Sequence, residues 1–462
     1  MCIRDRAKGF DEDSAASLYS NSAWFDLALL TVVAVTVTAA LNAVGALLVA
    51  AIMSVPAATV RMVTRRVRSL QIGSILLVAA EGTFGLWLSV KTDAPPGATI
   101  AVVSGTVFAV VLIARTLRRR RLAGVAIAAL AGALLVTGCS SDTGDDGDNG
   151  SLKVVATTTQ VADIVREVGG SGIDVDQILQ PNTDPHDYEP RPSDVQAVAN
   201  ADIVFRSGGD LDDWSGQLVE DSGSEAEVID LGAGLPVVLE GDHDHAEEGE
   251  GHSEEEGEAH SEEEGSEEAA KGDPSGGETD PHWWHDPVNV GAAGAAVATA
   301  LGSADPSAEQ DFEAAATSFD ARVSRIDRQI QKCVDQVPPA ERKLVTDHDS
   351  LEYFANRYGL EIVGTVIPAL TSEAQPSAGD LAELERTIEE EGVKAVFPES
   401  AYSPDLAEAV AADTGASTEY SLYGDTLGPQ DSGADTWAAM IKRNADSVVR
   451  GLTAGTKGCD FS

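Results

Sequence analysis

Two parts of opposite charge make up this chain, and that division limits what each part can fold into. Of the 462 residues, those up to Arg121 contain 13 Lys and Arg against 7 Asp and Glu, a net charge of +6. The whole chain carries −45, so the remainder carries −51. The basic part is apolar between short charged clusters, whereas the acidic part has a soluble, globular composition. Its negative charge argues against nucleic-acid binding and favours cations.

Apolar runs in the basic part predict an all-α transmembrane segment. Residues 24–60 are long enough for two spanning helices, and residues 71–90 and 99–114 provide two more. Arginine clusters follow the second and fourth runs, and the positive-inside rule places both clusters in the cytoplasm. We therefore assign residues 22–115 to the membrane and leave residues 1–21 unassigned.

Residues 116–151 predict an export signal followed by a flexible tether. A basic cluster and an apolar run precede Val136-Thr137-Gly138-Cys139, which resembles a bacterial lipobox, in which the Cys is acylated. Residues 140–151 contain only Gly, Asp, Ser, Thr and Asn, a composition typical of a mobile linker. The alternative is a fifth spanning helix that ends at Cys139.

Beyond residue 151 the chain alternates between short apolar strands and helices, which predicts an α/β fold. Strand, helix, strand order implies a mainly parallel sheet with covering helices, and sites in such sheets form beyond the carboxyl ends of the strands. The second half repeats the pattern of the first. We predict strands at 152–157, 173–179, 203–205, 343–346, 361–366 and 395–397.

One long amphipathic helix is predicted between the two halves. Apolar residues recur at three and four residue spacing from Pro306 to Gln336, which corresponds to more than seven turns. Pro338 and Pro339 end the helix.

The distribution of histidine indicates a metal site. The tripeptide Asp-Pro-His occurs at 184–186 and again at 280–282, and His348 follows a predicted strand. Three imidazoles with one carboxylate make a closed tetrahedral shell for zinc. Four of the eight histidines lie instead in the acidic, Glu-rich segment 241–279: His243, His245, His252 and His260.

Residues 151 to about 450 resemble the solute-binding lipoproteins of ABC importers for zinc and manganese. Five motifs carry the likeness: ATTTQ at 156–160, DPHDYEP at 184–190, DPHWWHDP at 280–287, DHD at 347–349 and YGD at 423–425. The resemblance implies two α/β lobes, residues 152–303 and 338–462, joined by one long rigid helix within 304–337. It also implies one metal ion between the lobes, held by His186, His282, His348 and Asp425.

Three nitrogens and one oxygen suit zinc, whereas a manganese site would favour a carboxylate at position 348. His285 is a candidate supporting residue, an alternative ligand or an exposed side chain, and Glu399 is a candidate hydrogen-bond partner of a ligand imidazole. The histidines of segment 241–279 would collect zinc near the cleft, and the alternative is a disordered insertion without a role.

Residues 22–115 resemble the C-terminal part of the metal-transporting ABC permease family, through NAVGALLV at 42–49, PAAT at 56–59 and PPGATI at 95–100. The two resemblances together imply an extracytoplasmic zinc-binding protein at the cell membrane, attached by its lipid, its helices or both. It would deliver the ion to a permease, and because no phosphate-loop motif occurs, we expect the ATPase to be a separate subunit. No catalysis is expected.

Three other functions compete with zinc delivery. A manganese or iron binding protein of the same family is the first, and a surface adhesin is the second. The third, a zinc hydrolase, needs an open coordination position, but four protein ligands would fill the shell.

Cysteine usage fits export. With Cys139 assigned to the lipid and Cys2 in the unassigned start, Cys333 and Cys459 remain as a pair in the acidic part. They form either a disulfide or two buried free thiols.

Overall fold

The computed structural model describes residues 46–64, 66–120, 151–241, 279–372, 374 and 376–461. Two compact units are distinguished: the first contains the apolar helices, and the second contains residues 149–188 and 196–462. Several predictions concern residues outside the described ranges. These are the first spanning helix, Cys139, the tether up to residue 150, and the histidines His243, His245, His252 and His260.

Three helices lie in the part of the chain described before residue 121: α1 (Ala46–Val63), α2 (Val67–Thr92) and α3 (Pro96–Arg120). By length and composition, α2 and residues Pro96–Thr116 of α3 suffice to cross a membrane, and only 17% and 28% of their apolar windows are buried. The buried Glu81 of α2 accepts a hydrogen bond from Ser104 Oγ of α3 at 2.9 Å, which satisfies one of its two carboxyl oxygens. The predicted spans at 71–90 and 99–114 fall within these helices.

A four-stranded parallel sheet in the order β2-β1-β3-β4 forms the first lobe of the second unit. Its strands are β1 (Leu152–Ala156), β2 (Ile173–Gln177), β3 (Ile203–Arg206) and β4 (Glu227–Asp230). The covering helices are α4 (Thr159–Gly169), α5 (Pro192–Ala199) and α6 (Trp214–Ser222). Three of the strands match prediction, but β4 was missed because this edge strand has only two apolar residues, and Val228 is 44% exposed.

A three-stranded parallel sheet in the order β6-β5-β7 forms the second lobe. Its strands are β5 (Lys343–Thr346), β6 (Glu361–Thr365) and β7 (Val396–Phe397). In sequence order, two further helices, α7 (Pro287–Ala304) and α8 (Glu309–Val334), follow the strands of the first sheet and precede those of the second. The remaining helices are α9 (Glu352–Tyr358), α10 (Ala378–Glu391), α11 (Asp405–Thr414) and α12 (Trp437–Leu452). The two-lobed α/β class is confirmed.

The linking helix is α8, which has 26 residues and a length of about 39 Å at 1.5 Å per residue. It starts later than the predicted Pro306 because residue 304 still belongs to α7 and residues 305–308 form the turn between the two helices. Its buried face contains Phe312, Ala316, Phe319, Val323, Ile326 and Ile330. Helices α7 and α8 approach closely at Gly294, where a Cβ atom would lie 2.7 Å from the Phe319 ring.

Cys333, near the end of α8, is joined by a disulfide to Cys459 in the C-terminal segment, with a Cα–Cα distance of 5.3 Å. Of the two alternatives for these cysteines, the structure therefore contains the disulfide. The bond closes a loop with a sequence separation of 126 residues. It ties the linking helix to the end of the second lobe.

Asp163 of α4 provides a pH-dependent contribution to stability. Its Oδ2 accepts a hydrogen bond from the backbone N–H of Trp437 at 2.8 Å, and burial raises its pKa from 3.8 to about 6. A carboxyl whose pKa is raised by folding favours the folded state fully below about pH 4, and this contribution is lost as pH rises through about 6.

We expect Asp163→Asn to leave the free energy of unfolding unchanged at pH 4 and to raise it by about 1–2 kcal/mol at pH 8. At 1.36 kcal/mol per pKa unit, the full shift would correspond to about 3 kcal/mol, and the expected change is smaller because the Asp163 side chain is only partly buried. Urea unfolding of metal-free protein, followed by tryptophan fluorescence, measures the change. Equal stabilisation at both pH values would contradict the assignment.

Candidate metal centre

The two Asp-Pro-His tripeptides fold into the same local turn. In each, the aspartate Oδ1 accepts a hydrogen bond at 2.9 Å from the backbone N–H of the histidine two residues later, Asp184 to His186 and Asp280 to His282. Proline between them fixes φ, and an Asp side chain that bonds two residues ahead forms an Asx turn. The repeated sequence therefore presents two imidazoles in fixed turns, the first in the loop that follows β2.

His348 and Asp425 come from the second lobe. His348 follows β5, at the carboxyl end of the sheet, and its carbonyl accepts a hydrogen bond from Thr346 Oγ1 at 3.0 Å. Asp425 lies in the loop between α11 and α12. Strand ends of parallel sheets provide the usual location for binding sites in α/β folds.

These four side chains meet in one place. One ligand atom from each of His186, His282, His348 and Asp425 lies within 4.8 Å of the others. Asp425 Oδ1 is 3.2 Å from His282 Nε2 and 3.3 Å from His348 Nε2, and its Oδ2 is 3.7 Å from His186 Nε2. The side chains of His282, His348 and Asp425 are fully buried, and that of His186 is 9% exposed.

Hydrogen bonding within the described residues leaves the centre of this cluster unsatisfied. Buried polar atoms normally have a partner, and each orphan costs free energy. Here four orphans face one another: His186 Nε2, His282 Nε2, His348 Nε2 and Asp425 Oδ1. A single divalent cation would satisfy all four, and three nitrogens with one oxygen form a tetrahedral zinc-type donor set.

Burial and neighbouring charges shift the pKa values of the cluster in different directions. Burial lowers the pKa of His186 to about 4. Burial also opposes the charge on His282, but Asp280 and Asp425 outweigh it and raise its pKa to about 10. Burial acts to raise the pKa of Asp425, yet the neighbouring imidazoles hold it well below its usual value. A buried, ionised carboxylate beside three imidazoles could hold a cation.

Asp280 orients the His282 ring, a role that the sequence analysis did not assign. Its Oδ1 lies 2.7 Å from His282 Nδ1, so Nδ1–H donates to the carboxylate and Nε2 is left facing the cluster. Carboxylate partners of this kind fix the tautomer and orientation of ligand histidines. The available signal was the aspartate two residues before each histidine. Tyr402, whose Oη donates to Asp425 Oδ2 at 2.6 Å, was also missed.

Both the carbonyl and the N–H of Gly424 form hydrogen bonds with side chains. Trp284 Nε1 and His285 Nε2 donate to the Gly424 carbonyl at 2.9 and 3.0 Å, and the Gly424 N–H donates to both Glu399 oxygens at 2.9 and 2.7 Å. These contacts fix the residue that precedes Asp425.

The structure corrects the expectation for one of the two candidate supporting residues. His285 is fully buried and lies outside the four-residue cluster, which fits its candidate supporting role rather than the ligand or exposed alternatives, and burial lowers its pKa to about 3. Glu399 contacts the backbone of the Asp425 loop rather than a ligand imidazole, and burial raises its pKa well above the usual value. Both residues position Asp425 through Gly424, a tertiary contact that sequence spacing does not reveal.

Gly424→Ala is expected to weaken metal binding by about 10–100-fold, the usual effect of disturbing a residue that orients a ligand. A Cβ atom at this position would lie 2.6 Å from Glu399 Oε2 and 2.8 Å from Ser350 Oγ, so the loop and Asp425 must shift. Competition with a chromophoric chelator measures the affinity. Gly216→Ala is the control because a Cβ atom at that position would meet no neighbouring atom within 4 Å. Wild-type affinity in both variants would contradict the account.

Comparison with known proteins assigns the chain to a family. The profile described as "Zinc-uptake complex component A periplasmic", ZnuA, matches residues 154–451. The chain belongs to this family. It is therefore a metal-binding component of an ABC transporter, and not an enzyme. A second profile, the ABC 3 transport family, matches residues 7–115, so both kinds of segment occur in one chain.

Curated relatives of this family member are named for different metals. A manganese-binding lipoprotein, MntA, from Halalkalibacterium halodurans is 27% identical over 70% of this chain and 95% of the relative. An iron ABC transporter substrate-binding lipoprotein, MtsA, from Streptococcus pyogenes serotype M1 is 25% identical over 69% of this chain and 94% of the relative.

Among solved structures, the periplasmic zinc binding protein TroA from Treponema pallidum superposes with a TM-score of 0.55 at 22% identity. The match covers 66% of this chain and 99% of that chain. At this identity the likeness establishes the fold of the binding lobes.

Proposed function

We propose that this protein captures zinc in the cleft between its two lobes, outside the membrane, and delivers it to a permease. The observation that carries the proposal is the set of four mutually facing, unsatisfied ligand atoms from His186, His282, His348 and Asp425. Two of these residues come from the first lobe and two from the second. An ion bound by all four would hold the lobes together.

The donor set favours zinc over manganese. Imidazole suits zinc, whereas manganese prefers carboxylate, carbonyl and water oxygens. Here three of the four donors are imidazole nitrogens, and the only carboxylate is Asp425. A closed shell of four protein ligands also matches the tetrahedral geometry of zinc sites without catalysis.

Hydrogen bonds across the cleft would act together with the ion. The backbone N–H of Leu427 donates to Thr159 Oγ1 at 2.8 Å, and that of Asn182 donates to Thr426 Oγ1 at 3.1 Å. Trp284 of the first lobe reaches Gly424 of the second in the same way. These bonds lie beside Asp425, so release of zinc to a permease requires them to break as the loops separate.

Sequence features away from the four-residue cluster complete the proposal. Acylation of Cys139, the membrane helices, or both would hold the lobes at the extracytoplasmic face of the cell membrane. Residues 140–151 would act as the tether, and the histidines of segment 241–279 would gather zinc for the cleft. The segment that matches the ABC 3 transport family would belong to the permease side of the transporter, with a separate ATPase.

Competition titration of the full chain in detergent tests the choice of metal. We expect one zinc ion per chain in the cleft, with an affinity for zinc at least about 100-fold higher than for manganese, since affinities rise from manganese to zinc at nitrogen sites. A preference for manganese would overturn the zinc assignment. Manganese binding is the second candidate because the relative MntA is named for that metal.

A further inference from the structure

The hydroxyl of Tyr402 contacts the carboxylate of the Asp425 ligand. Tyr402 lies in the segment after β7, and its Oη donates to Asp425 Oδ2 at 2.6 Å. This length is typical of a charge-assisted bond from a hydroxyl to a carboxylate. The Tyr402 ring also lies edge-on to His348, with 6.3 Å between ring centroids. Tyr402 therefore contacts two residues of the cluster, Asp425 through its hydroxyl and His348 through its ring.

The two oxygens of Asp425 have different surroundings as a result. Oδ1 lies 3.2 Å from His282 Nε2 and 3.3 Å from His348 Nε2, and it has no hydrogen-bond partner among the described residues. Oδ2 lies 3.7 Å from His186 Nε2, close enough to reach the same ion, but it accepts the bond from Tyr402. These distances would allow both Asp425 oxygens to chelate one ion, but Tyr402 donates a hydrogen bond to Oδ2.

We propose that Tyr402 makes Asp425 a one-oxygen ligand and thereby helps the cleft to select zinc against manganese. The inference rests on the proposed function and adds a residue that determines its specificity. A hydrogen bond uses a lone pair of Oδ2 and withdraws negative charge from it, so the ion is left with Oδ1 and three imidazoles. Zinc accepts that four-coordinate shell, whereas manganese favours additional oxygen ligands. Removing the hydroxyl would release Oδ2 and add an oxygen.

Tyr402→Phe tests the proposal in the full chain. We expect the ratio of zinc to manganese affinity to fall by about 10-fold or more, the scale on which partners of ligand side chains act. The fall should come from tighter manganese binding rather than from loss of zinc. Tyr358→Phe is the matched control because Tyr358 Oη also bonds a carboxylate, Asp327 Oδ1 at 3.2 Å, outside the cluster. Its affinity ratio should equal that of the wild type.

X-ray absorption at the zinc edge supplies a second readout that a merely structural role would not change. We expect four atoms bonded to zinc in wild-type protein and five in Tyr402→Phe. An unchanged affinity ratio in Tyr402→Phe, or five neighbours in the wild type, would overturn the role of Tyr402. A wild-type preference for manganese would instead contradict the proposed function itself. If Tyr402→Phe does not fold, the wild-type neighbour count decides the matter alone.

Discussion

Replacement of His282 by Ala is expected to reduce the affinity for zinc by at least about 100-fold. Loss of a residue that only orients a ligand costs up to about 100-fold, and loss of a ligand itself should cost at least as much. His282 Nε2 is one of the four unsatisfied atoms of the cluster, and its ring is fully buried and oriented by Asp280. Alanine removes that donor and also leaves the Asp280 carboxylate without its imidazole partner. Chelator competition with the full chain measures the loss.

His260→Ala is the control for the His282 variant. It also removes one imidazole, but from the acidic segment 241–279 rather than from the cluster. We expect this variant to retain the zinc affinity of the cleft. It should lose only zinc that segment 241–279 binds weakly. Equal, wild-type affinity in both variants would show that His282 is not a ligand.

The second large effect concerns the disulfide. Replacing both Cys333 and Cys459 by Ser is expected to lower the free energy of unfolding by about 4–5 kcal/mol, because the bond closes a loop with a sequence separation of 126 residues in the unfolded chain. Chemical denaturation followed by tryptophan fluorescence measures the change. Four of the six tryptophans lie beyond residue 151, so the signal reports mainly on the binding lobes.

Reduction of the wild-type protein is the matched experiment. A thiol reductant should lower the stability of wild-type protein towards that of the double Ser variant and should leave the variant unchanged. If the reductant and the substitutions both leave stability unaltered, Cys333 and Cys459 do not stabilise the fold through a bond.

Local patterns accounted for most of the fold. The amphipathic spacing that predicted the linking helix corresponds to residues that are all buried in α8, including Phe312 and Phe319. The parallel sheets followed from alternating strands and helices. The short edge strand β4 escaped prediction because its pattern is weak, and the start of α8 was placed early because residues 305–308 turn between two helices.

The cluster could be anticipated only in part. The Asp-Pro-His turns are local, so the repeated tripeptide marked His186 and His282 directly. Asp425 was assigned through the family resemblance. The contacts of Asp425 with Tyr402, and of Gly424 with Trp284, join residues separated by 23 and 140 positions. Contacts of that kind arise from tertiary packing, which no local spacing encodes.

Diffraction from crystals of the zinc-loaded chain, with anomalous data collected at the zinc edge, locates the bound ion. We expect a strong peak about 2.0–2.2 Å from His186 Nε2, His282 Nε2, His348 Nε2 and Asp425 Oδ1, the normal range for zinc bonds to nitrogen and oxygen. A peak located only in segment 241–279, or one between the lobes that lacks any of these four ligands, would contradict it.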